Sequence, residues 1–211
     1  MNALIVLGGD APGITLLNSC ACQADLLIAA DRGLEAFNLA GLEPDLLIGD
    51  MDSVDAAVLR RYEGHVGMER LCCEKDDTDG EAALHLAAER GADRVTFLGA
   101  LGGRLDHALA NLMLLNRAHS LGVQAEILDE KVRIFRVDGQ AVLCGAKGDT
   151  VSLLPLGAAH GVTLRGFYYP LEHGTLTSDR TLGISNVVVS DCAQVTAESG
   201  DLLLFHYYAG I

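Results

Sequence analysis

Residues 26–53, LLIAADRGLEAFNLAGLEPDLLIGDMDS, contain two apolar, strand-like runs, each closed by an acidic residue. The run 26–30 ends at Asp31, and the run 46–48 ends in the turn Gly49-Asp50-Met51-Asp52-Ser53. Between them Leu34, Phe37 and Leu39 suggest a helix, Gly41 serves as its C′ glycine, and Glu43-Pro44-Asp45 turns the chain back. A strand, a helix and a second strand of this kind predict a parallel βαβ unit. Both acidic turns then lie at the carboxyl ends of neighbouring strands, where open parallel sheets bind their ligands.

The same alternation extends outward. Strands are expected at 3–7, 65–71, 95–98 and 125–128, and helices at 55–62, 79–90 and 106–120. On the helix 79–90, Ala82, Ala83, Leu86 and Ala87 share a face; Gly91 and Gly122 close the last two helices. Residues 1–129 are therefore expected to form an α/β domain, a mostly parallel sheet flanked by helices. Beyond Asp129 helical spacing disappears. Period-2 runs at 132–137, 141–143, 150–154, 162–164, 187–190 and 202–206, separated by glycines and turns, predict an all-β sandwich over residues 130–211.

Among 211 residues, 29 are acidic and 15 basic, a net charge of −14. That balance argues against nucleic acid, whose phosphate backbone demands a basic footprint. The apolar runs are too short to span a bilayer, and no basic segment leads into a long apolar one, so a soluble, cytoplasmic protein without membrane partners is expected. Cysteines at 20, 22, 72, 73, 144 and 192 match no zinc spacing and are expected to be buried, reduced thiols.

Two further segments join the acidic turns. Lys75-Asp76-Asp77-Thr78-Asp79 precedes the helix 79–90, and Gly102-Gly103-Arg104-Leu105-Asp106 follows the strand 95–98. Crowded carboxylates repel one another unless a cation sits among them, and Mg²⁺ carrying a polyphosphate is the simplest occupant. Asp50 and Asp52, two apart, point the same way if the extended strand persists; as turn formers, with Ser53 as a helix cap, they need no metal. Thr78 and Glu81 also read as a capping box, although anions favour the same helix end. Paired glycines allow close backbone approach, and Arg104 suits phosphate oxygens; Asp106 reads equally as cap or ligand. Gly8-Gly9-Asp10-Ala11-Pro12-Gly13 fits neither a dinucleotide fingerprint nor a Walker loop. Gly183-Ile184-Ser185-Asn186 offers uncharged donors and acceptors suited to a heteroaromatic ring, or simply a β-turn.

Taken in order, Ala30-Asp31-Arg32-Gly33, Pro44 to Ser53, Lys75 to Asp79, Gly102 to His107, Gly166-Phe167-Tyr168-Tyr169-Pro170-Leu171 and Gly183 to Asn186 resemble the thiamine pyrophosphokinase family. The resemblance implies transfer of the pyrophosphoryl group of ATP to the hydroxyl of thiamine, giving thiamine diphosphate and AMP. It implies a homodimer with active sites between subunits, the first domain binding nucleotide and metal and the second binding thiamine and dimerising. It places Mg²⁺ on Asp50, Asp52 and Asp79, with Asp31 and Asp106 near the metal or the nucleophile. Lys75, Asp76, Thr78, Gly103 and Arg104 fall at the phosphates, and Ser185 and Asn186 at the thiamine pyrimidine. Arg32 departs from a glycine common in the family, and the absence of Trp leaves Tyr168 and Tyr169 as candidates for stacking on thiamine. Two alternatives stand beside this reading: a pyrophosphokinase for another hydroxyalkyl heterocycle, such as a pterin alcohol, and a non-catalytic thiamine or nucleotide sensor.

Overall fold

The computed structural model describes residues 1–64, 66–70 and 78–209, for 68–70 the backbone alone. The chain divides into two compact units, Met1–Glu130 and Lys131–Ile211.

In the first unit the strands are β1 Asn2–Val6, β2 Leu26–Ala30, β3 Leu46–Gly49, β4 Gly67–Arg70, β5 Arg94–Leu98 and β6 Gln124–Leu128. They are all parallel, in the order β4-β3-β2-β1-β5-β6. The helices are α1 Ile14–Ala21, α2 Gly33–Ala40, α3 Ala56–Tyr62, α4 Asp79–Glu89 and α5 Leu105–Ser120. Strand alternation shares out the sheet's two faces. Leu4 and Val6 of β1, Ala29 of β2 and Leu47 of β3 pack with Leu17 of α1 and Leu34 and Phe37 of α2. Ile5, Ile28 and Ile48 point to the opposite face and are just as completely buried. There α4 packs closely, so that a Cβ at Gly80 would lie 3.2 Å from Leu114 Cδ1 of α5 and 3.4 Å from Leu7 Cδ2.

Local chemistry sets the helix ends. Gly41 closes α2 in the left-handed conformation, at φ 68°. Asp55, rather than Ser53, caps α3, its Oδ1 accepting from the Ala57 N–H at 2.7 Å. Thr78 caps α4 by accepting from the Glu81 N–H at 3.2 Å, while the Glu81 carboxylate reaches sideways to Arg117 Nε at 3.1 Å. The helix α1 was not expected from the sequence: Leu17 is its one fully buried residue, too little to impose a period. Of the three residues that suggested α2, Leu34 and Phe37 are buried, whereas Leu39 is 68 % exposed.

The second unit pairs two antiparallel sheets. One runs β12-β9-β14-β7, from Asn186–Val187, Thr150–Pro155, Leu202–Tyr207 and Val132–Arg136; the other runs β11-β10-β13-β8, from Leu171–Thr177, Ala158–Arg165, Cys192–Thr196 and Gln140–Cys144. Val151, Leu153, Leu202 and Leu204 of the first sheet pack with Ala159, Val162, Leu164, Leu176 and Val195 of the second, making a sandwich. The strand β11 escaped the sequence pattern because Leu176 is its only buried residue. The expected strand 187–190 shrinks to the two residues of β12, after which Val188 makes a lone bridge to Phe167.

The expectation of buried thiols is overturned. Cys144 and Cys192, directly paired across β8 and β13, form a disulfide, and Cys22 is exposed. Cross-strand pairing brings two side chains close enough to bond, a contact that spacing along the chain does not reveal. Cys72 and Cys73 lie outside the described residues.

Candidate active site

Because the described strands of the first unit are parallel, the segments after β1, β2, β3 and β5 emerge along one rim. The chain leaves β1 toward β2 on one side, while β5 lies on the other, so a topological switch falls between β1 and β5. The loops flanking that switch are laced together. The Gly9 N–H donates to Gly99 O at 2.8 Å and the Asp10 N–H to Leu101 O at 2.7 Å. A Cβ on Gly9 would stand 2.3 Å from Leu101 O, and one on Gly102 would collide with the Asp10 carboxyl. Glycine at 102 thus makes room for Asp10, a neighbour that the sequence did not signal.

The next two strands carry the acidic cluster. Among the described residues, Asp31, Asp50 and Asp52 bring carboxylate oxygens within 4.8 Å of one another. This convergence does not come from an extended strand. The chain turns sharply through Gly49 at φ 131° and Met51 at φ 64°, and Asp50 Oδ1 accepts the Asp52 N–H at 3.0 Å. Asp31 itself is left-handed at φ 48°, its N–H donating to Ile48 O at 2.8 Å. Such backbone is uncommon outside glycine and concentrates at functional positions. The start of α2 holds it in place: a Cβ on Gly33 would lie 1.9 Å from Val6 O.

The two oxygens of Asp31 differ. Oδ2 accepts a short hydrogen bond from the Ser53 hydroxyl. Oδ1 is buried and has no hydrogen-bond partner. A buried, unpaired carboxylate oxygen is costly, and on a residue whose carboxylate neighbours are Asp50 and Asp52 it suits a cation better than a proton donor. The donor set is all hard oxygen, which fits Mg²⁺ rather than a soft metal.

Asp79, first residue of α4, belongs to the same electrostatic group. Its burial pushes the carboxyl above the ordinary carboxylate value, and Asp31, Asp50 and Asp52 push further in the same direction, with His107 opposing. Asp52 is also raised, chiefly by the charge of Asp50. Across the switch, Arg104 grips Asp106 through two bonds, Nη2 to Oδ2 at 2.6 Å and Nε to Oδ1 at 3.1 Å. That fork holds Asp106 down at about 2 and raises Arg104. Asp106 also accepts the His107 N–H at 3.1 Å, so it pairs with a cation and a helix end. Gly103, at φ 61°, faces open space, and Thr78 sits one residue before Asp79. Lys75 and Asp76 lie outside the described residues. Arg32 flanks Gly8 and pairs with Glu35 at 3.5 Å.

In the second unit Ser185 is exposed and left-handed at φ 58°. Asn186 is only 5 % exposed. Its Oδ1 accepts from the Tyr169 N–H at 3.0 Å and the Val187 N–H at 2.9 Å, and Nδ2 donates to Tyr169 O at 2.7 Å. Most of the Asn186 carboxamide is thus committed to holding the loop that exposes Tyr168 and Tyr169, rings stacked edge to face at 4.9 Å. Two residues that matter to this geometry, Ser53 and Ser152, were not singled out by the sequence as partners of Asp31 and Ser185; a lone serine carries no signal of its contact.

Comparison with known proteins gives a consistent result. Residues 17–127 match a family model described as "Thiamin pyrophosphokinase, catalytic domain", and residues 135–202 match "Thiamin pyrophosphokinase, vitamin B1 binding domain". The chain is 29 % identical over 204 residues to the thiamine pyrophosphokinase of Bacillus subtilis strain 168, covering 95 % of each protein. A crystal structure of the Bacillus subtilis enzyme superposes with a TM-score of 0.86 at 27 % identity, over 99 % of this chain and 100 % of the other. That of Geobacillus thermodenitrificans thiamin pyrophosphokinase gives 0.84 at 28 %, over 100 % and 99 %.

Proposed function

The chain belongs to the thiamin pyrophosphokinase family, and from that premise we propose that it is an enzyme moving the pyrophosphoryl group of ATP onto thiamine. The thiamine hydroxyl oxygen attacks the β-phosphorus of ATP. The bond from that phosphorus to the α–β bridging oxygen breaks, AMP departs, and the hydroxyl proton is released. Reactions of this kind ask the protein mainly for positioning and for stabilisation of charge.

The observation that carries this reading is the meeting of Asp31, Asp50 and Asp52, with one oxygen of Asp31 buried and unpartnered. These three, with Asp79 facing them electrostatically, would hold Mg²⁺. When bound, Mg²⁺ supplies Lewis-acid neutralisation of the polyphosphate. Ser53 keeps Asp31 turned into the cluster. Arg104, whose Nε and Nη2 hold Asp106, keeps Nη1 and the remaining Nη2 hydrogen for phosphate oxygens. Gly103 leaves room for close approach, and Thr78 retains its hydroxyl hydrogen for donation while its oxygen caps α4. Lys75 and Asp76 are proposed to serve the same phosphates.

Residues 1–129 would hold the nucleotide and metal, and residues 130–211 the thiamine. Ser185 offers its hydroxyl to the pyrimidine, and Asn186 shapes the acceptor end through Tyr169. The working form is proposed to be a cytoplasmic homodimer, checked by analytical ultracentrifugation. For the reaction, purified protein with Mg²⁺, ATP and thiamine should yield AMP and thiamine diphosphate in equal amounts by chromatography. Release of ADP with thiamine monophosphate would contradict pyrophosphoryl transfer.

A further inference from the structure

Among the described residues, the buried polar side chains are Ser152, Asn186 and His206. Two of these three grip the same short turn, 183–186. Asn186 ties the end of the turn to the backbone of Tyr169. Ser152, in the middle of β9, ties its centre: Ser152 Oγ accepts from the Ser185 N–H at 3.0 Å. One residue along β9, the Leu153 N–H donates to Gly183 O at 2.9 Å. The turn also packs tightly there, since a Cβ on Gly183 would lie 3.1 Å from Leu153 O.

Ser152 is out of character for its strand. Val151 and Leu153, its neighbours, point into the sandwich core. By alternation Ser152 faces the other way, yet it is only 8 % exposed, and its hydroxyl meets the turn. A buried hydroxyl must be satisfied, and its satisfaction here fixes the N–H of one residue, Ser185. That residue is left-handed at φ 58°, a conformation a serine does not hold without help from its surroundings. Ordinary core satisfaction would not require the partner to be strained and exposed. Ser185 is both, with Ile184 exposed beside it.

We propose that Ser152 is a positioning residue for the acceptor alcohol, acting through the backbone of Ser185 to aim the Ser185 hydroxyl at the heteroaromatic ring. The proposal rests on the pyrophosphokinase reading and deepens it by naming the group that sets acceptor recognition. Ser152 touches neither substrate nor metal. Its loss lets the turn relax, weakening acceptor binding while leaving the nucleotide side untouched.

The test uses the full chain and three variants, Ser152→Ala, Ser152→Cys and Ser152→Thr. AMP release is measured with thiamine varied at saturating Mg–ATP, then with Mg–ATP varied at saturating thiamine. Ser152→Ala and Ser152→Cys, which lose a good acceptor oxygen, should raise KM for thiamine about tenfold, with kcat and KM for ATP within about twofold of wild type. Ser152→Thr keeps the oxygen and should restore KM for thiamine to within about threefold. If Ser152→Ala does not fold, Ser152→Cys, close in volume, carries the comparison. A wild type that turns over thiamine alongside variants with unchanged KM for thiamine, or with both KM values raised alike, overturns the positioning role alone. A failure of Ser152→Thr to rescue also overturns it. A wild type that releases no AMP with thiamine overturns the pyrophosphokinase reading and this inference together.

Discussion

The hydroxyl of Ser53 donates to one oxygen of Asp31, and the other oxygen of Asp31 is buried without a partner. Ser53 thereby fixes the rotation of a carboxylate that gathers with those of Asp50 and Asp52, and leaves its second oxygen without a protein partner. Asp31→Asn keeps the shape but removes the charge and replaces one oxygen by a donor amide. Turnover should fall by about two orders of magnitude or more. Because the substitution also relieves repulsion within the cluster, the chelated protein should melt no lower than wild type. Ser53→Ala should raise the Mg²⁺ concentration needed for half-maximal rate, by about tenfold if the hydroxyl orients the ligand as outer contacts do elsewhere. Normal turnover in Asp31→Asn would remove Asp31 from the metal site.

The acidic cluster also predicts a pH trend. Asp79, through burial first and then its acidic neighbours, and Asp52, through Asp50 first, bind their protons more tightly in the folded chain than in the unfolded one. Between the ordinary value of 3.8 and the raised value, the folded chain holds the extra protons, so these groups lower stability as pH rises through that window. Asp106, drawn to about 2 by Arg104, acts oppositely: its contribution is present above 3.8 and is lost as pH falls toward about 2. In EDTA, Asp79→Asn should therefore flatten the pH dependence of the melting temperature above the ordinary carboxylate range. Adding Mg²⁺ to wild type should do the same. An unchanged slope in both experiments would mean that these carboxyls do not feel one another.

The legible parts of this chain were those where one residue type has one dominant consequence. Apolar runs at 26–30 and 46–48 became β2 and β3, and Gly41 closed α2 as a left-handed cap. The acidic turns were visible because aspartates seldom follow strand after strand without a purpose. What stayed hidden depended on contacts between distant residues. The metal-ready geometry of Asp50 and Asp52 arises from the turn at Met51 and from Asp31, which comes from another strand. The commitment of Asn186 to Tyr169, and of Ser185 to Ser152, needs the sandwich to be assembled first. The strand β11 was hidden for a different reason, since it buries Leu176 alone, and β13 because its buried face over Cys192–Thr196 is only Ala193 and Val195, too short and too small to stand out.

The cross-strand disulfide Cys144–Cys192 encloses a separation of 48 residues, most of the sandwich. Closing a loop of that size restricts the unfolded chain, and reduction should destabilise the second unit by about 2–4 kcal/mol. Thermal melts with and without dithiothreitol should separate, and Cys144→Ser should match the reduced wild type in either condition. Cys22→Ser, altering an exposed free thiol, should leave the melt unchanged. Identical melts for reduced and oxidised wild type would show that the β8–β13 ladder holds without the bond.

Arg104 and Asp106 form a two-point pair on the surface of the rim, with 72 % and 65 % of their side chains exposed. A pair so open to water and salt contributes little to folding, so neither Arg104→Ala nor Asp106→Asn should move the melting temperature appreciably. Their effect belongs to the nucleotide. If Arg104 meets the phosphates, Arg104→Ala should raise KM for ATP by about tenfold or more and leave KM for thiamine near wild type. Arg104→Lys should recover only part of the loss, because an ammonium supplies charge without the planar fork. Asp106→Asn frees the guanidinium from its carboxylate but also from its fixed orientation. It should shift KM for ATP less than Arg104→Ala does, and make it more sensitive to added salt. Equal effects of Arg104→Ala on both KM values would place the guanidinium outside the nucleotide's reach.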